Sequence, residues 1–243
     1  MTEGWCPFVE RVPGVQTYTP GGLTRVGFCD HIAVGYMNTM RNPAFWNGAG
    51  VSPHFAVGKD GSAIQLVSIF DTAYAQGRLG PQVNWPPYAD QATANPNDWL
   101  ISFEHEGFPG EEWTPEMYAT DLQIKRWCVE ACYERGYNLM ELGLDSLTGH
   151  YMFDGVDRAS CPGPTWPRDR LWADLAQGED DMATIVNRPG TAQNYLVVGR
   201  TMEFLHTRDE RELAAAAYGI DAAPRIITQE AFNWLAKRAG LVV

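Results

Sequence analysis

Over the first hundred positions, apolar residues come in short alternating runs broken by Gly and Pro, a pattern of strands and turns. The stretch Arg25–Tyr36 (RVGFCDHIAVGY) alternates loosely and predicts a buried strand that ends in a loop. In Ser52–Ser68 two alternating runs flank Lys59-Asp60-Gly61, and an Asp-Gly pair at such a place predicts a hairpin. Residues 78–99 hold four prolines and two tryptophans and read as a long loop, of the kind that borders functional clefts. Trp99–Glu106 (WLISFEHE) predicts another strand, with Phe103 and His105 on one face and Glu104 and Glu106 on the other. The clearest helix spans Pro115–Arg135: Thr114 suits the N-cap, Pro115 the first turn, and Gly136 follows the end. A second helical stretch lies near Pro167–Leu175. Strands separated by helices predict an α/β fold, a mixed central β-sheet flanked by helices.

The pattern changes after residue 176. QGEDDM reads as a short acidic linker over 177–183, which divides a domain at 1–176 from a small α+β C-terminal module at 184–243. Within that module, strands at Asn194–Val198 and Met202–His206 alternate with helices near Glu210–Tyr218 and Glu230–Ala239. Charge changes at the same place. The net charge is -12, and residues 1–183 carry essentially all of it while residues 184–243 are close to neutral. A step of that kind suggests two modules with different tasks.

Such acidity excludes a nucleic-acid binder, which needs a basic face against phosphates. No window has the length of a membrane-spanning helix, so membrane insertion is not expected. The first residues, MTEGWCPFVERVPG, show neither a basic start nor an apolar run, so no signal peptide is expected. Five cysteines without a tight framework do not form a disulfide scaffold, and Cys128 and Cys132, four apart on a helix, read as small core residues.

Among the residues able to do chemistry, His31, His150 and Cys161 offer the donors zinc prefers, three protein ligands with a fourth position open. Spacing alone does not single them out. The order of the surrounding segments does: Cys29-Asp30-His31, VSPHFAVGKDGSAIQLV at 51–67, DTAYAQG at 71–77, ISFEHEG at 101–107 and GHYMFDGVDRASCPGP at 149–164. Together they resemble the type 2 N-acetylmuramoyl-L-alanine amidase family, which includes phage endolysins and is related in fold to peptidoglycan-recognition proteins. The resemblance covers residues 20–176. It implies Zn2+ held by His31, His150 and Cys161, Glu104 as catalytic base, and hydrolysis of the amide between N-acetylmuramic acid and L-alanine in bacterial peptidoglycan.

Two positions depart from the family. Many members carry Lys two residues before the third ligand, where this chain has Ala159 with Arg158 beside it. Either Arg158 reaches round as a catalytic cation, or zinc alone holds the developing charge, or activity is reduced; a guanidinium is not a simple replacement for an ammonium. A frequent family His before the glycine of the third block is also absent, since Tyr74 and Ala75 stand there. His54 either lines the cleft or is a hydrogen-bonded structural residue. The resemblance implies a phage endolysin, made in the host cytoplasm and released through a separate pore-forming protein. Residues 184–243 lie outside the resemblance: modular organisation and the charge step point to cell-wall attachment, as against an extension packed on the catalytic domain. The alternatives are a peptidoglycan-binding protein on the same fold with weak or no catalysis, and a bacterial wall-remodelling or recycling amidase.

Overall fold

The computed structural model describes residues 4–21, 25–77, 80, 83–85, 95–180, 183–187, 194–198, 201–205 and 225–226. They fall in two compact units, Met1–Trp172 and Ala173–Val243. The first unit is built on six strands: β1 (Glu10–Arg11), β3 (Gly27–Ile32), β4 (Phe55–Val57), β5 (Ala63–Gln65), β7 (Leu100–His105) and β8 (Leu147–Gly149). A separate two-stranded ribbon pairs β2 (Tyr18–Thr19) with β6 (Thr72–Ala73).

The six strands lie in the order β1-β5-β4-β7-β3-β8. Only the β4–β5 hairpin is antiparallel; the other four pairings are parallel. The sheet is therefore mixed, as the sequence predicts, with its longest strands, β3 and β7, side by side in its interior. Both are buried almost throughout, as expected for parallel strands covered on two faces. The predicted hairpin forms where Asp-Gly stands: Gly61 takes φ +80°, and Asp60 Oδ1 accepts from Ser62 N at 2.9 Å.

Helix α3 (Pro115–Tyr133) covers one face. Thr114 caps it by accepting from Met117 N at 3.1 Å, and Gly136 leaves it at φ +83°. Its buried stripe runs through Met117, Tyr118, Asp121, Ile124, Lys125, Cys128, Ala131 and Cys132. Cys128 and Cys132 are the core residues the sequence suggests. Two charged residues share the same stripe, which no apolar pattern predicts. On the other face Met37 and Met40 of α1 (Met37–Met40) and Trp46 of α2 (Pro43–Ala49) pack with Ala56 and Ile64. Beside them Cys29, Trp85, Leu100, Met152 and Phe153 form a second cluster. Full burial of each large apolar side chain contributes about 1.5–3 kcal/mol.

Helix α4 (Arg168–Asp180) runs through Gln177–Asp180, where the sequence predicts the start of a linker. Gln, Glu and Asp all tolerate a helix, and the single Gly178 does not end it. The second unit contains β9 (Ala183–Asn187), β10 (Asn194–Val198), β11 (Thr201–Leu205) and β12 (Arg225–Ile226), in the order β11-β10-β9-β12. β9 and β12 are additions to the two strands the sequence suggests. The helices expected near Glu210–Tyr218 and Glu230–Ala239 lie outside the described residues. Among the described residues no helix is long and apolar enough to cross a membrane.

Candidate metal centre

Strand register brings the first two residues together. His31 of β3 pairs with Glu104 of β7, so both side chains leave the sheet on the same face, away from α3. His150 follows directly on β8, the other neighbour of β3. The chain then loops out and returns, closed by Tyr151 N donating to Cys161 O at 3.0 Å. Gly149 makes that closure possible, because a Cβ there would lie 2.6 Å from Cδ of Pro162. Cys161 lands beside the end of β3, where Ile32 N donates to its Sγ at 3.4 Å.

The donor atoms of His31, His150 and Cys161 converge within 4.8 Å of one another. His31 Nδ1 is 3.0 Å from His150 Nδ1 and 3.9 Å from Cys161 Sγ. Bond lengths of about 2.0–2.1 Å to nitrogen and about 2.3 Å to sulfur in a tetrahedron require separations of about 3.3 and 3.6 Å. The observed edges differ from these by only a few tenths of an ångström. Burial holds His31 well below its ordinary pKa, with His150, His105 and Arg158 adding to the effect. It brings His150 down to about 4, so both rings are neutral and keep a lone pair for a metal. The carbonyl of Gln76 bonds to the His150 ring, the kind of outer contact that fixes a ligand tautomer. Burial raises the Cys161 thiol to about 12, and Glu104 adds to the rise. A dication reverses that penalty, since a coordinated thiol ionises outright. The donor set fits zinc.

Glu104 is half-buried, and its Oε2 is enclosed without a hydrogen-bond partner. Burial raises its carboxyl to about 8, opposed by the Arg158 guanidinium. Arg158 is solvent-exposed and acts through charge alone on Glu104, His31, His150 and Cys161, with no side-chain hydrogen bond to any of them. His54 is fully buried and committed elsewhere. Ser102 N donates to its Nδ1 at 2.9 Å, so the proton sits on Nε2 and goes to the Asp71 carbonyl at 3.0 Å. That leaves no lone pair for a metal.

On the reverse face, sequence reasoning missed a buried charge cluster. Lys125 Nζ donates to Asp30 Oδ1 at 2.8 Å and to Asp121 Oδ1 at 2.5 Å. His105 Nε2 lies 2.9 Å from Asp121 Oδ1, and His105 Nδ1 lies 2.9 Å from the His31 carbonyl. Both partners of that ring are acceptors, so full satisfaction requires a proton on each nitrogen. The available signal was Asp121 and Lys125, four apart on the apolar stripe of α3.

The fold has a counterpart among solved structures. Over 72% of this chain and 98% of the other, it is similar to a structure described as a selenomethionine derivative of AmpD, at TM-score 0.52 and 20% identity. The amidase LysC from Clostridium intestinale URNW matches at TM-score 0.47 and 18% identity, over 68% of this chain and 97% of its own. No curated protein matches the chain. The family described as N-acetylmuramoyl-L-alanine amidase matches residues 25–164, which include His31, Glu104, His150 and Cys161. The chain belongs to that N-acetylmuramoyl-L-alanine amidase family.

Proposed function

We propose that the protein is a zinc-dependent amidase that hydrolyses the bond between N-acetylmuramic acid and L-alanine in bacterial peptidoglycan. His31, His150 and Cys161 hold the metal, Glu104 is the general base, and Arg158 supplies a nearby positive charge. The observation that carries this reading is a carboxylate at the strand position paired with His31, with one oxygen enclosed and unpartnered, beside three converging donors.

Zinc bound there supplies Lewis acidity toward water and toward a carbonyl oxygen. Glu104 takes the proton from the attacking water and hands it to the leaving amine of L-alanine. Burial raises this carboxyl in the metal-free protein, and a dication bound beside it would draw it back toward the ionised form that a general base needs. Arg158 draws the Glu104 pKa down and sets how much of it is ionised. The Gln76 carbonyl keeps His150 in its donor tautomer.

Purified peptidoglycan incubated with the protein should yield new alanine N-termini, and a chelator should abolish them. Metal-loaded protein that releases none would sink the reading. Ala159, where relatives carry Lys, favours the second reading of a wall-binding protein with weak catalysis, and the same assay separates the two. We further read the protein as an endolysin acting in host lysis, with residues 184–243 as a wall-attaching module. The support is the two-unit organisation together with the charge step. Deleting residues 178–243 should reduce co-sedimentation with intact walls; unchanged binding argues against attachment by this unit.

A further inference from the structure

We propose that the buried cluster Asp30, His105, Asp121 and Lys125 is a positioning device for the metal donors, setting the places of His31 and Cys161 from behind the sheet. The inference rests on the zinc reading above. Asp30 immediately precedes His31 and is engaged at both oxygens: Oδ1 by Lys125 Nζ at 2.8 Å, and Oδ2 by Trp166 Nε1 at 2.9 Å. Trp166 lies five residues beyond Cys161, so one carboxylate ties the His31 strand to the segment that delivers the third donor. His105 holds the same strand by its backbone, through the His31 carbonyl, and is anchored in turn on Asp121 of α3.

Asp30, His105 and Asp121 by themselves have the spacing of a metal site, but the Lys125 ammonium stands among them. The ammonium also lies 4.0 Å from the centre of the Phe103 ring. A flexible external ion is thereby replaced by a charge covalently fixed to α3, so the geometry behind the donors persists whether or not metal is bound. Each half of the arrangement has a different reach: His105 acts on His31 alone, while Asp30 acts on His31 and Cys161 together.

Trp166→Phe tests the link that joins two donors, because it deletes one hydrogen bond and keeps an aromatic ring in place. Trp46→Phe is the matched control, since Trp46 Nε1 donates to the Met40 carbonyl at 2.7 Å in a cluster away from the donors. Zinc affinity of the full chain is measured by competition with a chromophoric chelator, and the absorption spectrum of the Co2+ form reports the geometry at the thiolate. Urea unfolding of the metal-free proteins measures stability separately. Outer contacts of metal ligands change affinity by about 10–100-fold. Trp166→Phe is expected to weaken zinc about tenfold and alter the Co2+ bands, while Trp46→Phe leaves both at wild-type values at a comparable loss of stability. Wild-type affinity and spectrum in Trp166→Phe overturn the proposal, as does equal weakening in both variants. Wild-type protein that binds no zinc overturns the metal reading itself and this inference with it.

Discussion

On the α3 face of β3 and β7, Asp30, His105, Asp121 and Lys125 engage one another and their surroundings with every polar side-chain atom except Asp121 Oδ2. One residue along each strand, on the opposite face, Glu104 Oε2 is enclosed without a partner among the described residues, and His31 Nδ1 meets only two other candidate donors there, His150 Nδ1 and Cys161 Sγ. Both faces bury ionisable groups, but only one leaves them unfinished. A buried polar group without a partner costs about 1–3 kcal/mol, so it persists only where something else requires it. Saturated charge marks architecture, and the unfinished face is the one where the proposed metal and substrate would complete the structure.

The comparison is broken most severely at Glu104. Glu104→Gln should lower kcat by about 10²–10⁴-fold, the usual contribution of a general base. Its thermal midpoint should stay level or rise, because an amide is cheaper to bury than a carboxylate. Lost folding in that variant would place Glu104 on the architectural side. Lys125→Met should do the reverse, leaving Asp30 and Asp121 buried without their cation and costing about 3–5 kcal/mol in urea unfolding. A variant as stable as the wild type would show that the cluster is not what holds α3 to the sheet.

The same contrast appears in pH dependence. Burial raises Glu104 to about 8, so between about pH 6.5 and 8 the folded protein keeps a proton that the unfolded chain has released. Metal-free stability should therefore fall as pH rises across that window, by a few kcal/mol at most. Glu104→Gln should flatten this limb. Below pH 6.5 the sign reverses: His31, His54 and His150 are all held low by burial, the unfolded chain takes up protons that they refuse, and stability falls with pH. Urea titrations in chelator at pH 5, 6.5 and 8 should thus peak in the middle. The smallest effect belongs to Arg158→Ala. Its exposed charge is screened by salt, so kcat should fall less than about tenfold, with the acidic limb of the rate profile displaced upward.

Much of this was written in local pattern. Asp60-Gly61 announces its hairpin, Thr114, Pro115 and Gly136 mark the limits of α3, and strand alternation separates Glu104 from His105. The donor triplet was visible only through the order of the blocks around it, because His31 and His150 meet by strand adjacency across 119 positions. The sequence leaves His54 open between a cleft and a structural role, and its hydrogen bonds close both ring nitrogens. The Lys125 cluster stayed hidden, since charge on an apolar stripe acquires meaning only when its partners on β3 and β7 are in place. The sequence marks Arg158 and Ala159 as a departure from the family pattern, but how near an exposed guanidinium comes to Glu104 is not encoded in local pattern.

The hydrogen bond from Tyr151 N to Cys161 O has a thermodynamic consequence of its own. It closes the excursion between the second and third donors with backbone atoms, so the entropy of ordering that loop is met during folding and not at the moment of metal capture. If the proposed metal binds there, such a centre is expected to behave as a rigid receptor. Metal should exchange in and out of a folded protein, and the ion that occupies it is selected by how well it fits a preset opening.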